Sequence, residues 1–206
     1  GFFTAKVTVK ASFSAKLQLG AKTYSFAQAF NASGNCTTLI TGKGLTPLTV
    51  TLHLVNNDEI VGQVSGTGWS AQLLAVSKAP AVGAGKHSLV LSTDTESSTT
   101  VAGDSFGTMT LYKSGVIQWS GVLPDGGKVS QKSALSKDGV WPMYSSLYGG
   151  SGSLIGWLQR TNGTGELGGS AVWIVPANKN ALYPNGLTNA LNATGASLVN
   201  PAAMSH

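Results

Sequence analysis

The stretch Leu48-Thr49-Val50-Thr51-Leu52-His53-Leu54 alternates without a break, leucines and valine on one face, threonines and His53 on the other. Successive side chains of an extended chain point to opposite sides, so this run predicts a half-buried antiparallel strand, apolar inward and polar outward. Similar runs recur about every ten residues. They span Ala5 to Val9, Phe13 to Leu19, Thr23 to Phe30, Glu59 to Val64, Trp69 to Val76, Thr108 to Lys113, Val116 to Leu123, Lys128 to Leu135, Ser153 to Arg160 and Leu167 to Val175. Turn signals separate them, among them Asn31-Ala32-Ser33-Gly34, Pro124-Asp125-Gly126-Gly127 and Lys137-Asp138-Gly139, where Asn, Asp and Gly accept the backbone angles of tight turns. The pattern predicts an all-β fold, an antiparallel β-sandwich or barrel of about ten to twelve strands.

Composition supports this. The 206 residues include 27 glycines, which are costly inside helices, and many Ser and Thr residues suited to a pleated surface. Only 10% are charged, well under the roughly 25% usual for soluble domains. Laid on itself with a shift of about 105, the chain shows a duplication. Phe13-Ser14-Ala15-Lys16-Leu17-Gln18-Leu19-Gly20-Ala21-Lys22 matches Trp119-Ser120-Gly121-Val122-Leu123-Pro124-Asp125-Gly126-Gly127-Lys128, and Val61-Gly62 matches Leu167-Gly168. The expectation is a single domain over 1–206, made of two pseudo-repeats at about 3–76 and 106–176 that share one core. A connector, Lys78 to Ser105, and a tail after Pro176 lie outside the repeat.

Charge narrows the function. The formal net charge is +5, but the thirteen basic residues are scattered and Arg160 is the sole arginine, which argues against nucleic acid as a partner. No run of about 18 apolar residues suggests membrane insertion, and the N-terminus lacks the basic-then-apolar pattern of a signal peptide. The lone Cys36 predicts no internal disulfide and no cysteine metal cluster.

The second half carries Gly103-Asp104-Ser105-Phe106-Gly107-Thr108-Met109-Thr110, then Leu135-Ser136-Lys137-Asp138-Gly139-Val140-Trp141-Pro142-Met143-Tyr144, then Leu147-Tyr148-Gly149-Gly150-Ser151-Gly152-Ser153-Leu154-Ile155-Gly156-Trp157-Leu158. With Trp173-Ile174-Val175-Pro176 and Tyr183-Pro184-Asn185-Gly186-Leu187-Thr188, these segments resemble a tandem β module found in very large secreted or surface multidomain bacterial proteins. The resemblance covers nearly the whole chain. It implies a secreted or cell-surface accessory module that adjoins other domains of the same polypeptide, with no established activity and no catalytic residues to carry over.

Catalysis has few candidates. A glycosidase needs two carboxylates flanking one sugar bond. Asp125 and Asp138 sit in turn motifs, Asp58-Glu59 reads as a hairpin tip, and Asp94, Glu96, Asp104 and Glu166 show no pairing pattern. The three histidines have no zinc spacing, no Gly-x-Ser-x-Gly elbow occurs, and no cofactor is expected beyond a calcium ion held by oxygens of Asp94, Glu96 or Asp104. Aromatic residues carry more, because sugar C–H faces stack on rings while hydroxyls bond to flanking polar groups. Trp119, Trp173 and Trp69 share faces with core residues. Trp141, Tyr144, Tyr148, Trp157 and Tyr183 are therefore the expected ligand-binding rings, four of them beside turns or glycines. The leading reading is a noncatalytic carbohydrate-binding module whose partner is a polysaccharide. The alternatives are a structural or adhesive spacer domain, and then a glycoside hydrolase.

Overall fold

A computed structural model describes residues 1–42, 46–80, 83–93, 103–161, 166–177 and 182–198. Its chain divides into two compact units, Gly1–Ser77 and Lys78–His206. All regular structure in the described residues is antiparallel strand apart from a single 3-10 turn, and fifteen strands are present against the ten to twelve expected. Among the described residues no helix is long and apolar enough to cross a membrane.

The first unit holds two sheets. Strands β1 (Phe2–Val7), β2 (Ser12–Leu19) and β3 (Lys22–Ala29) form one; β4 (Asn35–Ile40), β5 (Leu48–Val55), β6 (Glu59–Gly66) and β7 (Trp69–Val76) form the other. Strand β3 runs beside β4 and β1 beside β7, so the two sheets wrap around one interior. The alternation of β5 does what it predicts: Leu48, Val50 and Leu52 are buried while Thr51 and His53 face water. They pack with Phe3, Phe13, Leu17, Ile60, Val64 and Leu73. Trp69 departs from the expected inward side and is exposed, because it lies at the hairpin end of β7, past Val64, with its indole folded across Gly66 on the paired strand.

The second unit is one eight-stranded sheet in the order β11-β10-β9-β8-β15-β14-β13-β12. Its strands are β8 (Gly85–Thr93), β9 (Ser105–Leu111), β10 (Val116–Val122), β11 (Lys128–Ala134), β12 (Val140–Leu147), β13 (Gly152–Arg160), β14 (Leu167–Val175) and β15 (Leu187–Ser197). Strand β11 lies beside β12, so the sheet is nearly closed into a barrel. The connector and the tail expected to lie outside the repeat supply β8 and β15, which pair with each other and complete the ring.

Where β11 meets β12 no backbone ladder forms. The Gln131 side chain takes its place: Nε2 donates to the Pro142 carbonyl at 3.1 Å and Oε1 accepts the Tyr144 N–H at 3.1 Å. Gln131 thus presents to β12 the donor and acceptor that a neighbouring peptide would present. Pro142, which has no N–H, sits at the edge position where that loss leaves no ladder bond broken.

In place of the one shared core expected from the sequence, the buried side chains form two clusters, one in each unit. The physical reason is strand number. The segments read from the sequence missed β4 and β12 and set β8 and β15 aside, leaving each half too few strands to cover its apolar face. With seven strands in two sheets that wrap one interior, and eight in one nearly closed sheet, each unit buries that face by itself.

Candidate functional site

The five rings expected to bind ligand scatter. Trp141 faces the barrel interior from β12, fully buried, edge-on to Trp119 with centroids 6.3 Å apart. Tyr144 is buried on the same strand. Tyr183, in the connection between β14 and β15, is buried edge-on against Trp173 at 5.4 Å. Tyr148 is partly buried against the barrel core, and only Trp157 stands in solvent, 53% exposed. A buried ring offers no face to a sugar, so Trp141, Tyr144 and Tyr183 do not form the surface platform expected of them. Pro142 explains the misreading at Trp141 and Tyr144: proline seldom occupies a central strand, so the segment reads as a loop.

Tyr148 belongs to a hydrogen-bonded plug at one barrel end, where the β10–β11 turn, the 3-10 turn after β12 and the end of β14 meet. Its hydroxyl donates to Asp125 Oδ2 at 2.6 Å and accepts from Trp173 Nε1 at 3.2 Å, while Asp125 Oδ1 takes the Gly127 N–H at 2.9 Å. To reach Asp125, Tyr148 adopts the left-handed backbone region, φ 51°, followed by Gly149 and Gly150, also at positive φ. A non-glycine residue there stores strain of about 1 kcal/mol or more, which the two hydrogen bonds offset. The chemistry is internal, since the polar atoms of Tyr148 and Asp125 hold each other and the barrel end.

Burial raises the Tyr148 pKa first of all, and the Asp125 carboxylate that accepts its proton raises it further. A tyrosine whose folded pKa lies above its unfolded one gives stability that is complete below the unfolded value and lost as pH rises toward the folded value. Unfolding free energy, followed by urea denaturation, should therefore fall as pH climbs above 10.0, the ordinary tyrosine value. In Tyr148→Phe that alkaline fall should be shallower. Equal slopes in the two proteins would contradict the assignment.

The outer wall of β8–β11 carries a different arrangement. Strand registers set Val90, Phe106, Val122 and Lys128 in one row across four strands, Ser88, Thr108, Ser120 and Ser130 in the next, and Lys86, Thr110, Gln118 and Lys132 in the third. Phe106 is 63% exposed and stands between two valines above a row made wholly of hydroxyls. Tyr112, also exposed, donates to Gln118 Oε1 at 3.3 Å at the far edge. Among the described residues no carboxylate shares these three rows. Phe106 went unread as a site residue, yet its signal is present: Met109 and Leu111 mark the inner side of β9, and Phe106, Thr108 and Thr110 fall on the other.

Trp157 lies four strands away on the opposite wall of the barrel, between Pro142 and Ser170. Half a ring separates Phe106 from Trp157, so one flat contact cannot include both. Of the carboxylates named for calcium, Asp94 and Glu96 lie outside the described residues and Asp104 is exposed; among the described residues no three of His, Cys, Asp and Glu gather as metal ligands. Comparison of the chain with family models, curated proteins and solved structures finds no match.

Proposed function

We propose that this chain is a noncatalytic polysaccharide-binding module of a larger secreted protein, with Phe106 as its principal ring. The observation that carries the reading is the wall of β8–β11, where an exposed aromatic face adjoins an uncharged row of hydroxyls. Isolated apolar residues are ordinary on a protein surface, but Val90, Phe106 and Val122 are contiguous across three strands. A sugar ring laid on Phe106 places its own hydroxyls over Ser88, Thr108 and Ser120, which both donate and accept. Trp157 gives a second, weaker contact on the opposite wall. Strands β1–β7 follow the same order as β9–β15, with Phe13 and Trp119 both buried on matched strands, which supports reading the two units as tandem copies of one module. Neighbouring domains would add avidity.

Retention on a panel of cellulose, chitin, xylan and starch tests this. The whole chain should be held by at least one polymer; Phe106→Ala should weaken the hold by about tenfold, the scale of one lost aromatic stack. Trp157→Ala should weaken it less. Absence of retention on every polymer would overturn the proposal in favour of a structural spacer, the reading that the burial of Trp141, Tyr144 and Tyr183 favours.

A further inference from the structure

The second barrel end, opposite the Tyr148 plug, collects groups that the polysaccharide reading does not use. His87 faces inward from β8, only 2% exposed, and neither ring nitrogen has a hydrogen-bond partner. Arg160 closes β13 on the inward side, in line with buried Leu154 and Leu158, and its Nε is likewise buried and unpartnered. The register runs from Arg160 through Leu167 and Gly195 to Leu89, the inward residue next to His87. Gly195 lets Leu167 and Leu89 pack close along that row, since a Cβ there would meet Leu167 Cβ at 3.1 Å, and the Arg160 guanidinium extends to Gly83, just before β8: a Cβ on Gly83 would lie 2.7 Å from Arg160 Nη2. The cation therefore crosses the barrel mouth toward the strand that carries His87.

Every buried side-chain polar atom without a partner among the described residues belongs to the second unit, and the first unit has none. Native structures leave few such atoms, and each calls for a partner. At this mouth the unmet groups are donors, or can become donors: one arginine N–H and an imidazole with two ring nitrogens. Burial lowers the His87 pKa, and the Arg160 charge lowers it further, so the field at the imidazole is positive and favours a negative visitor.

We propose that the mouth of the eight-stranded barrel is a binding site for a small oxyanion, a carboxylate or a phosphate monoester, held between the Arg160 guanidinium and the His87 imidazole. An oxyanion supplies several acceptor lone pairs, which matches what the Arg160 Nε–H and the one N–H of a neutral His87 imidazole lack. It would also compensate a cation whose burial is otherwise costly. This site stands on different residues from the Phe106 wall and does not depend on it.

Nuclear magnetic resonance of the full chain tests it, reading the His87 ring protons and the Arg160 Nε–H while galacturonate, inorganic phosphate or, as an ionic-strength control, chloride is added. The site predicts saturable shifts at both groups with galacturonate or phosphate and none with chloride. Saturation by phosphate alone assigns a phosphate site, and by galacturonate alone a sugar-acid site. Arg160→Met, which keeps an unbranched apolar stem and removes the guanidinium, should weaken binding by about tenfold or more, the loss of a charge-assisted pair. His87→Gln, which keeps a donor, should bind more weakly than wild type but better than Arg160→Met. No saturable shift with either anion, equal shifts with chloride, or undiminished binding by a folded Arg160→Met protein would each overturn the proposal.

Discussion

Trp141→Ala should destabilise the second unit by about 3–5 kcal/mol, the range for removing a large aromatic side chain from a packed interior. The indole is fully buried, touches Trp119 edge-on and sits among Met143, Leu154 and Leu158, which have no freedom to close the gap from a hydrogen-bonded wall. Its Nε1 makes no hydrogen bond, so Trp141→Phe leaves a smaller void, removes an unmet donor and should cost much less. Guanidinium denaturation of the two variants measures the difference. A Trp141→Ala protein as stable as wild type, but deficient in sugar binding, would return Trp141 to the surface role that its sequence suggests.

The second large effect lies at the barrel seam. Gln131→Ala removes both bonds to β12 together and leaves the Pro142 carbonyl and the Tyr144 N–H facing β11 without that partner. Each unmet buried backbone group costs about 1–3 kcal/mol, so the loss should reach a few kcal/mol where water cannot enter and less where it can. Gln131→Glu separates the two bonds. A carboxylate still accepts from Tyr144 but offers no donor to Pro142, so it should fall between wild type and Gln131→Ala. The reading is hydrogen exchange at the Tyr144 amide, which should accelerate in Gln131→Ala by a larger factor than amides of β9 or β10. Uniform acceleration across the sheet would mean that Gln131 contributes general stability and no particular seam.

These two positions also show what the sequence discloses and what it hides. Alternation at Leu48–Leu54 reports a strand and its buried face directly, because one period decides both. The Asp-Gly turns are equally plain, since few residues tolerate positive φ, as Gly126 and Gly139 do. Strand β12 stays hidden because Pro142 violates the local rule, and the permission for that violation comes from Gln131, eleven residues away and on another strand. Strand β4 stays hidden because Asn35-Cys36-Thr37-Thr38 has no apolar alternation, its inward Cys36 being only partly buried.

The candidate site follows the same division. That aromatic rings matter is visible in composition; which rings meet water depends on strand parity and on the count of strands that close the barrel. Tyr148 beside two glycines reads as an open loop, whereas Asp125 draws its hydroxyl into the barrel end from a turn 23 residues earlier. Phe106 is decided by parity alone. His87 and Arg160 carry no shared motif, and only closure of the ring brings them to one mouth.

The central claim is that sugar contacts fall on the β8–β11 wall while the buried rings serve the barrel. Amide shift mapping of the whole chain, titrated with soluble fragments of whichever polymer retains it, tests that claim directly. The account predicts the largest changes at Phe106, Thr108, Ser120 and their row neighbours, with Trp141, Tyr144 and Tyr183 unmoved. Changes centred on Asp125, Tyr148 and Tyr183, with the Phe106 row silent, would contradict it.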